Sequence, residues 1–168
     1  SDEGAALVLS LLLAMALSAI AVSLIFLSQS ETLSSVNYRL MSQARYGAEA
    51  GVHKSINYLL NNYAKPGTAA DPLAAYDLTV SPVTFNGQPV VLSAVATVAS
   101  NYPLAAVTNA FNAASQGTLP VGGYNVQYNV YATLMSMRQI PVYGSGSTDT
   151  ILTWRITAIG TIAGNRPA

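Results

Sequence analysis

The chain has 168 residues, about half of them hydrophobic, with only seven acidic and seven basic side chains. That length supports one domain with a long appendage rather than two full cores, and a zero balance built from so few charges argues against a polyanion partner such as nucleic acid. The absence of cysteine removes disulfide frameworks, thiolate zinc sites and cysteine nucleophiles together.

From Gly4 to Ser30 there is no charged residue, and Ala5 to Leu27 is apolar apart from Ser10, Ser18 and Ser23. About twenty helical residues at about 1.5 Å each span a hydrocarbon layer of roughly 30 Å, so the segment is expected to be a membrane-spanning helix. A secretory signal would open on basic residues and carry a shorter apolar run. Here Asp2 and Glu3 lead, and the run is expected to stay in the mature protein; the missing initiator Met implies a trimmed start.

After Ser30 the pattern becomes amphipathic. Leu33, Val36, Leu40, Ala44, Ala48, Val52, Ile56 and Leu59 recur at steps of three and four, which predicts one apolar helical stripe. Arg39, Arg45, Glu49 and Lys54 fall on the wetter faces, with Arg45 and Glu49 one turn apart. No proline precedes Pro66, so one continuous helix is predicted from about residue 5 to about residue 62, ended by Asn61, Asn62 and Lys65-Pro66-Gly67. Gly47 and Gly51 lie one turn apart inside it: either each is tolerated at about 1 kcal/mol, or, with Glu49 between them, they mark a face where another backbone comes close.

Beyond the helix the period becomes two. Tyr124 to Leu134 puts Tyr124, Val126, Tyr128, Val130 and Ala132 on one face, and Ile151 to Ile159 does the same with Leu152, Trp154, Ile156 and Ala158. The Gly- and Ser-rich stretch from Arg138 to Asp149 between them predicts a hairpin. Two more strands are predicted over Tyr76 to Phe85 and Val90 to Val98, joined at Asn86-Gly87 and weakened by Pro82 and Pro89. Ala99 to Gly123 reads as loop with a short helical turn near Ala105 to Ala114. The expected fold class is α+β: residues 1–30 an apolar helix, 31–64 its amphipathic continuation, and 65–168 a head with an antiparallel sheet of about four strands laid on that second helical part.

Catalytic constellations are thin. His53, the only histidine, sits beside Lys54 on the amphipathic helix and reads as a solvated residue. Asp71 and Asp77 offer too few oxygens for a calcium loop, and Gly144-Ser145-Gly146-Ser147 does not open a helix after a strand, so it is not a phosphate loop. Ser145, Ser147 and Thr148 are candidates for O-linked sugar. Tyr124, Tyr128 and Tyr131 fit strand packing, while Tyr38, Tyr46 and Tyr58 fit a helix rim with buried ring and wet hydroxyl. No catalytic, cofactor or metal site is predicted.

The segments "GAALVLSLLL" (Gly4 to Leu13) and "AEAGV" (Ala48 to Val52), on one long N-terminal helix before a small β-rich domain, resemble the type IV pilin superfamily, nearest the PilX-like minor pilins; "WRITAIGT" (Trp154 to Thr161) is similar to the closing strand of that branch. The resemblance implies a membrane-anchored precursor, trimmed by a prepilin peptidase after a glycine and polymerised by inner-membrane pilus machinery into an extracellular helical filament of many copies. It implies an assembly surface of Leu7, Leu11, Leu12, Leu13, Ile20, Leu24, Ile25 and Phe26 in the filament core. The family's usual start is an aromatic residue with a glutamate shortly after it that meets a neighbour's terminal amine. Here the start is Ser1, with Asp2 or Glu3 as the acid, or else cleavage falls after Gly4. A buried carboxylate without a partner is very costly, so pairing is required inside a filament. The apolar half also lacks the proline many relatives carry, which predicts less of a fixed kink. The expected function is a structural, non-enzymatic filament subunit; the alternatives are a minor pilin or pseudopilin that primes a fibre, and a single-pass anchored binding domain.

Overall fold

The computed structural model describes residues 2–144 and 146–162, without the side chains of Asp2 and Glu3. Its architecture is α+β: a long N-terminal helix followed by small antiparallel sheets. The chain divides into two compact units, Ser1–Ser42 and Gln43–Ala168. Helix α1 is assigned over Asp2–Asn61, close to the predicted limits, and Asn62 closes it with a backbone bond to the Tyr58 carbonyl (2.8 Å).

In the first unit, every residue from 4 to 39 is exposed. The apolar run nonetheless satisfies its own polar groups. Ser10 donates to the Leu7 carbonyl (2.9 Å), Ser18 to Ala14 (2.8 Å) and Ser23 to Ala19 (2.9 Å), so each hydroxyl folds back on its own helix.

In the second unit, the residues of α1 that are buried are Gln43, Gly47, Gly51, Ser55 and Tyr58. This corrects the predicted stripe. Leu40, Ala44, Ala48, Val52 and Leu59 are only half-buried, and Leu33, Val36 and Ile56 are exposed. Small residues carry the contact because the sheet lies very close. A Cβ at Gly51 would come within 2.8 Å of the Tyr128 and Val130 side chains, one at Gly47 would meet Val126, and one at Gly160 would meet the Ala44 carbonyl oxygen. Ser55 donates to the Gly51 carbonyl (3.0 Å) and shares a bond with Ser115 Oγ (2.9 Å), which satisfies its own buried hydroxyl. Of the rim tyrosines, Tyr38 and Tyr46 are largely exposed, and Tyr58 is buried entire: its hydroxyl donates to the Val107 carbonyl (3.2 Å) and its ring meets Phe111 edge-on at 5.7 Å.

The head follows as a 3-10 turn Leu73–Ala75, strands β1 (Tyr76–Asp77), β2 (Thr84–Phe85), β3 (Gln88–Pro89) and β4 (Val91–Ser93), helix α2 (Ala105–Ala114), then β5 (Gln116–Val121), β6 (Tyr124–Pro141) and β7 (Thr148–Ile162). Strands β1, β2 and β3 form a small sheet in that order, while β6 pairs with β4 and β5 along one side and with β7 along the other. All pairings are antiparallel. Thus the two strands predicted over 76–85 and 90–98 are far shorter than expected: Pro82 lies in the gap between β1 and β2, whereas Pro89 is itself paired, opposite Thr84. Val83 donates to the Leu134 carbonyl (2.9 Å) and Leu134 to Val90 (3.0 Å), which ties the small sheet to the larger one.

Strand β5 corrects the loop expected before Gly123. Gln116, Gly117 and Pro120 weaken its strand signal, but it is held along its length by β6. The tight turns before β3 and before β6 use Asn86-Gly87 (φ +52° and +75°) and Gly122-Gly123 (φ +57° and +86°), the positive pairs that two-residue hairpins require. The β6–β7 hairpin is longer than predicted and closes at residues 142–147. Val126, Tyr128, Val130 and Ala132 are buried as expected, and Leu152, Trp154, Ile156 and Ala158 are half-buried on the matching face. A bulge at Met135 shifts the register, so that Met137 also enters the core.

We expect Gly160→Val to destabilise the head by roughly 3 kcal/mol, because the added atoms press on helix backbone rather than on a movable side chain. The exposed neighbour change Thr161→Val should stay within about 0.5 kcal/mol. Urea unfolding of the detergent-solubilised chain, followed by fluorescence of Trp154, the only tryptophan, measures both.

Candidate functional site

Leu7, Leu11, Leu12, Leu13, Ile20, Leu24, Ile25 and Phe26 are each more than half exposed, Leu7 at 69% and Phe26 at 67%. They point in several directions around the helix, so the apolar surface is a full sleeve and not a stripe; such a helix belongs wholly inside an apolar environment. It is the one helix among the described residues long and apolar enough to cross a membrane. Its carbonyls and amides are paired along the helix and its serines fold back, so nothing polar along the run is left to seek water. Glu31 is the first charge after Glu3.

Ser1, the side chains of Asp2 and Glu3, and Ser145 lie outside the described residues. Gly47 and Gly51 lie beneath β6 of their own chain. Glu49 is exposed on another side of the helix, where Arg45 Nε donates to its carboxylate at 2.9 Å. Thr148 opens β7 and is exposed, as is Ser147 in the turn before it.

Residues 3–53 match the PilX N-terminal family, a family related to the type IV pilins. The match covers the exposed apolar run and continues through Gly47 and Gly51 to His53. No curated protein matches the chain, and no solved structure does. The match is therefore confined to the N-terminal helix and does not reach the strands of the head.

One polar cluster in the head has no counterpart in the sequence reading. Asp71 is 1% exposed, and its two oxygens accept hydrogen bonds from Tyr76 (2.6 Å) and Tyr102 (2.9 Å). Because Tyr102 spends its single proton on Asp71, the 2.9 Å contact between the Tyr63 and Tyr102 hydroxyls is donated by Tyr63. Tyr63 also stacks edge-on against Tyr102 and against Trp154. Burial, foremost, pushes all three phenols well above the ordinary tyrosine range; the Tyr102 hydroxyl adds to this for Tyr63, and Asp71 for Tyr76. Tyr63, Asp71, Tyr76 and Tyr102 are too scattered along the chain for any spacing to announce them. The cluster suits a structural clamp: both carboxylate oxygens are occupied by phenols. Asp77 is separate and exposed, its carboxyl held below the usual range by the hydroxyl and backbone N–H of Thr79. His53 is exposed, and Lys54 lies over the Tyr128 ring at 5.4 Å from its centre. Among the described residues no group of three or more His, Asp or Glu side chains is placed to hold a metal ion.

Two results are expected from the cluster. Asp71→Ala should cost roughly 2–5 kcal/mol, since it leaves two buried phenol donors without an acceptor, while Asp71→Asn, which keeps one acceptor, should cost less. With phenol pKa values raised in the folded state, the protons are held equally by folded and unfolded chains below about pH 10. Above it the unfolded chain releases them first, so stability should fall as pH rises beyond that point. Tyrosinate absorbance from the cluster should appear only together with loss of the Trp154 signal, and Tyr76→Phe should remove one such late-titrating group.

Proposed function

We propose that the chain is a structural subunit of an extracellular type IV pilus-like filament. It is held first in the inner membrane by its N-terminal helix and then packed through that helix against other copies, with the head outside. The observation that carries the reading is the sleeve of leucine, isoleucine and phenylalanine that no part of the described chain covers, within a segment matching a pilin-related family. About twenty such side chains at roughly 1.5–3 kcal/mol each would drive association strongly from water. Transfer out of lipid cancels most of that gain, so close packing and an energy-consuming assembly machine decide the outcome.

In this reading Leu7, Leu11, Leu12, Leu13, Ile20, Leu24, Ile25 and Phe26 form the filament core. A prepilin peptidase sets the N-terminus, at Ser1 or after Gly4. If it is Ser1, the carboxylate of Glu3 or Asp2 pairs with a neighbour's terminal amine. The PilX likeness favours a minor subunit as the second reading, one that primes or punctuates the fibre through the same helix contacts. Exposed Ser147 and Thr148 are places for O-linked sugar on the assembled surface.

The test separates membrane insertion from assembly. Leu13→Arg should impair insertion itself, at roughly 3 kcal/mol for a cation at mid-bilayer. The pair Leu12→Ala and Leu13→Ala keeps the segment apolar and should leave the chain in the membrane fraction, yet lower its content in sheared surface fibres about tenfold by loosening the packing. Immuno-electron microscopy of those fibres is the readout. Wild-type chain found only as single membrane-bound molecules, with none in fibres, overturns the reading.

A further inference from the structure

Strand β7 lies at the margin of the large sheet. All of its fifteen residues, Thr148 to Ile162, ladder with β6 on one side, and among the described residues no other backbone bond reaches it. The opposite margin is managed differently. There β5 carries Pro120, which has no N–H to offer, and β4 is bonded on its outer side by Asn101, whose N–H donates to the Val91 carbonyl at 2.9 Å. Every second residue of β7 turns its N–H and C=O away from β6, so the strand presents a row of donors and acceptors to its surroundings. It contains no proline and is rich in Thr and Ile.

The charges on this edge define a register. β7 has one acid, Asp149, and one base, Arg155; both are exposed, and neither has an ion-pair partner within 4 Å among the described residues. They share the outer face with Ile151, which is 51% exposed, and Thr153. Leu152 is midway between them. When β7 meets an antiparallel copy of itself with Leu152 opposite Leu152, Asp149 of each chain falls opposite Arg155 of the other, and Ile151 opposite Thr153, each pair occurring twice. A slip of two residues either way sets both charges against uncharged side chains.

We propose that β7 is a self-recognition edge, through which the heads of two copies of this chain join into one continuous antiparallel sheet about a two-fold axis at Leu152. The occupant is a second copy because the complementary charges on the strand are its own, symmetrically placed. This contact is separate from the helix packing of the filament. β7 runs antiparallel to the helix beneath it, with Gly160 at Ala44 and Trp154 at Tyr63. The two-fold therefore sets the two helices in opposite directions, and detergent solution, where both orientations are free, is the setting for the test.

The full chain in detergent micelles is studied by sedimentation and by cross-linking under oxidising conditions. Asp149→Arg and Arg155→Asp should each weaken the dimer about tenfold or more by setting like charges opposite one another twice. The double exchange D149R/R155D should restore it. Since the chain has no native cysteine, a mixture of I151C and T153C proteins should form a covalent dimer well above the yield of either protein alone, because only unlike positions face each other across the axis. A monomer at all concentrations, equal cross-linking in the mixture and in the separate samples, or a double exchange that fails to recover the dimer overturns the proposal. So does tighter association on single reversal, which would make Asp149 and Arg155 charges that keep the edge apart.

Discussion

A helix that carries leucine, isoleucine and phenylalanine on all sides cannot rest in water, and among the described residues nothing covers the first half of α1. This constraint sets the terms for the rest of the molecule. In lipid the sleeve loses nothing, because every backbone group is bonded within the helix and Ser10, Ser18 and Ser23 return their protons to carbonyls three or four residues back. Between copies of the same helix it loses nothing either. The same helical run suits both surroundings, and the match to a pilin-related family ends at residue 53, well after that run has become part of the head.

The second half of α1 meets the opposite demand, since there the covering surface belongs to its own chain. A sheet can lie this close to a helix only where the helix has little side chain to push it away. Gly47 and Gly51 on the helix and Gly160 on β7 provide the clearance, and Val126, Tyr128 and Val130 fill it. Gly47 and Gly51 each lower helix propensity by about 1 kcal/mol relative to alanine, so the contact must return more than that through burial of β6. Val126 and Val130 are fully buried and Tyr128 almost so, which is ample. Gln43, at the start of this face, is covered by the Gly122-Gly123 turn, so the turn that sets the β5–β6 register is also seated on the helix.

The sequence was legible where hydrophobicity and geometry share a period. Alternation in β6 and β7 marked the buried face correctly, and the limits of α1 followed from its unbroken run and its Asn-Asn-x-x-Lys-Pro-Gly stop. It was misleading where contact is made by what is missing. Hydrophobicity selects Val52 and Ile56, yet the sheet selects Gly51 and Ser55 because they are small. Strand β5 was invisible because Gln116, Gly117 and Pro120 favour loop, and only pairing with β6 makes them a strand. The Asp71 cluster joins residues from four separate places in the chain, which no local pattern can report. The apolar run was plain in composition, whereas the proposal that an acid pairs at the N-terminus rests on resemblance.

The head is held together in two different ways, and the division bears on what each part can do. From Gln116 onward, long ladders fix the backbone, and changes to outward side chains leave those bonds in place. From Tyr63 to Asn101 the strands have two or three residues each, too few to hold a sheet alone. Side chains replace the missing ladders: Asp71 gathers Tyr76 and Tyr102, and the Asn101 amide donates toward the carbonyls of Phe85, Gln88 and Pro89. Such a region has little freedom to vary, because every bond is a particular residue and not a repeating backbone motif. Surface variation is best tolerated on the ladder half, whose outward side chains are not needed to hold it. That half also carries the open edge of β7, so the part of the head most free to change its surface is the part placed to meet another molecule.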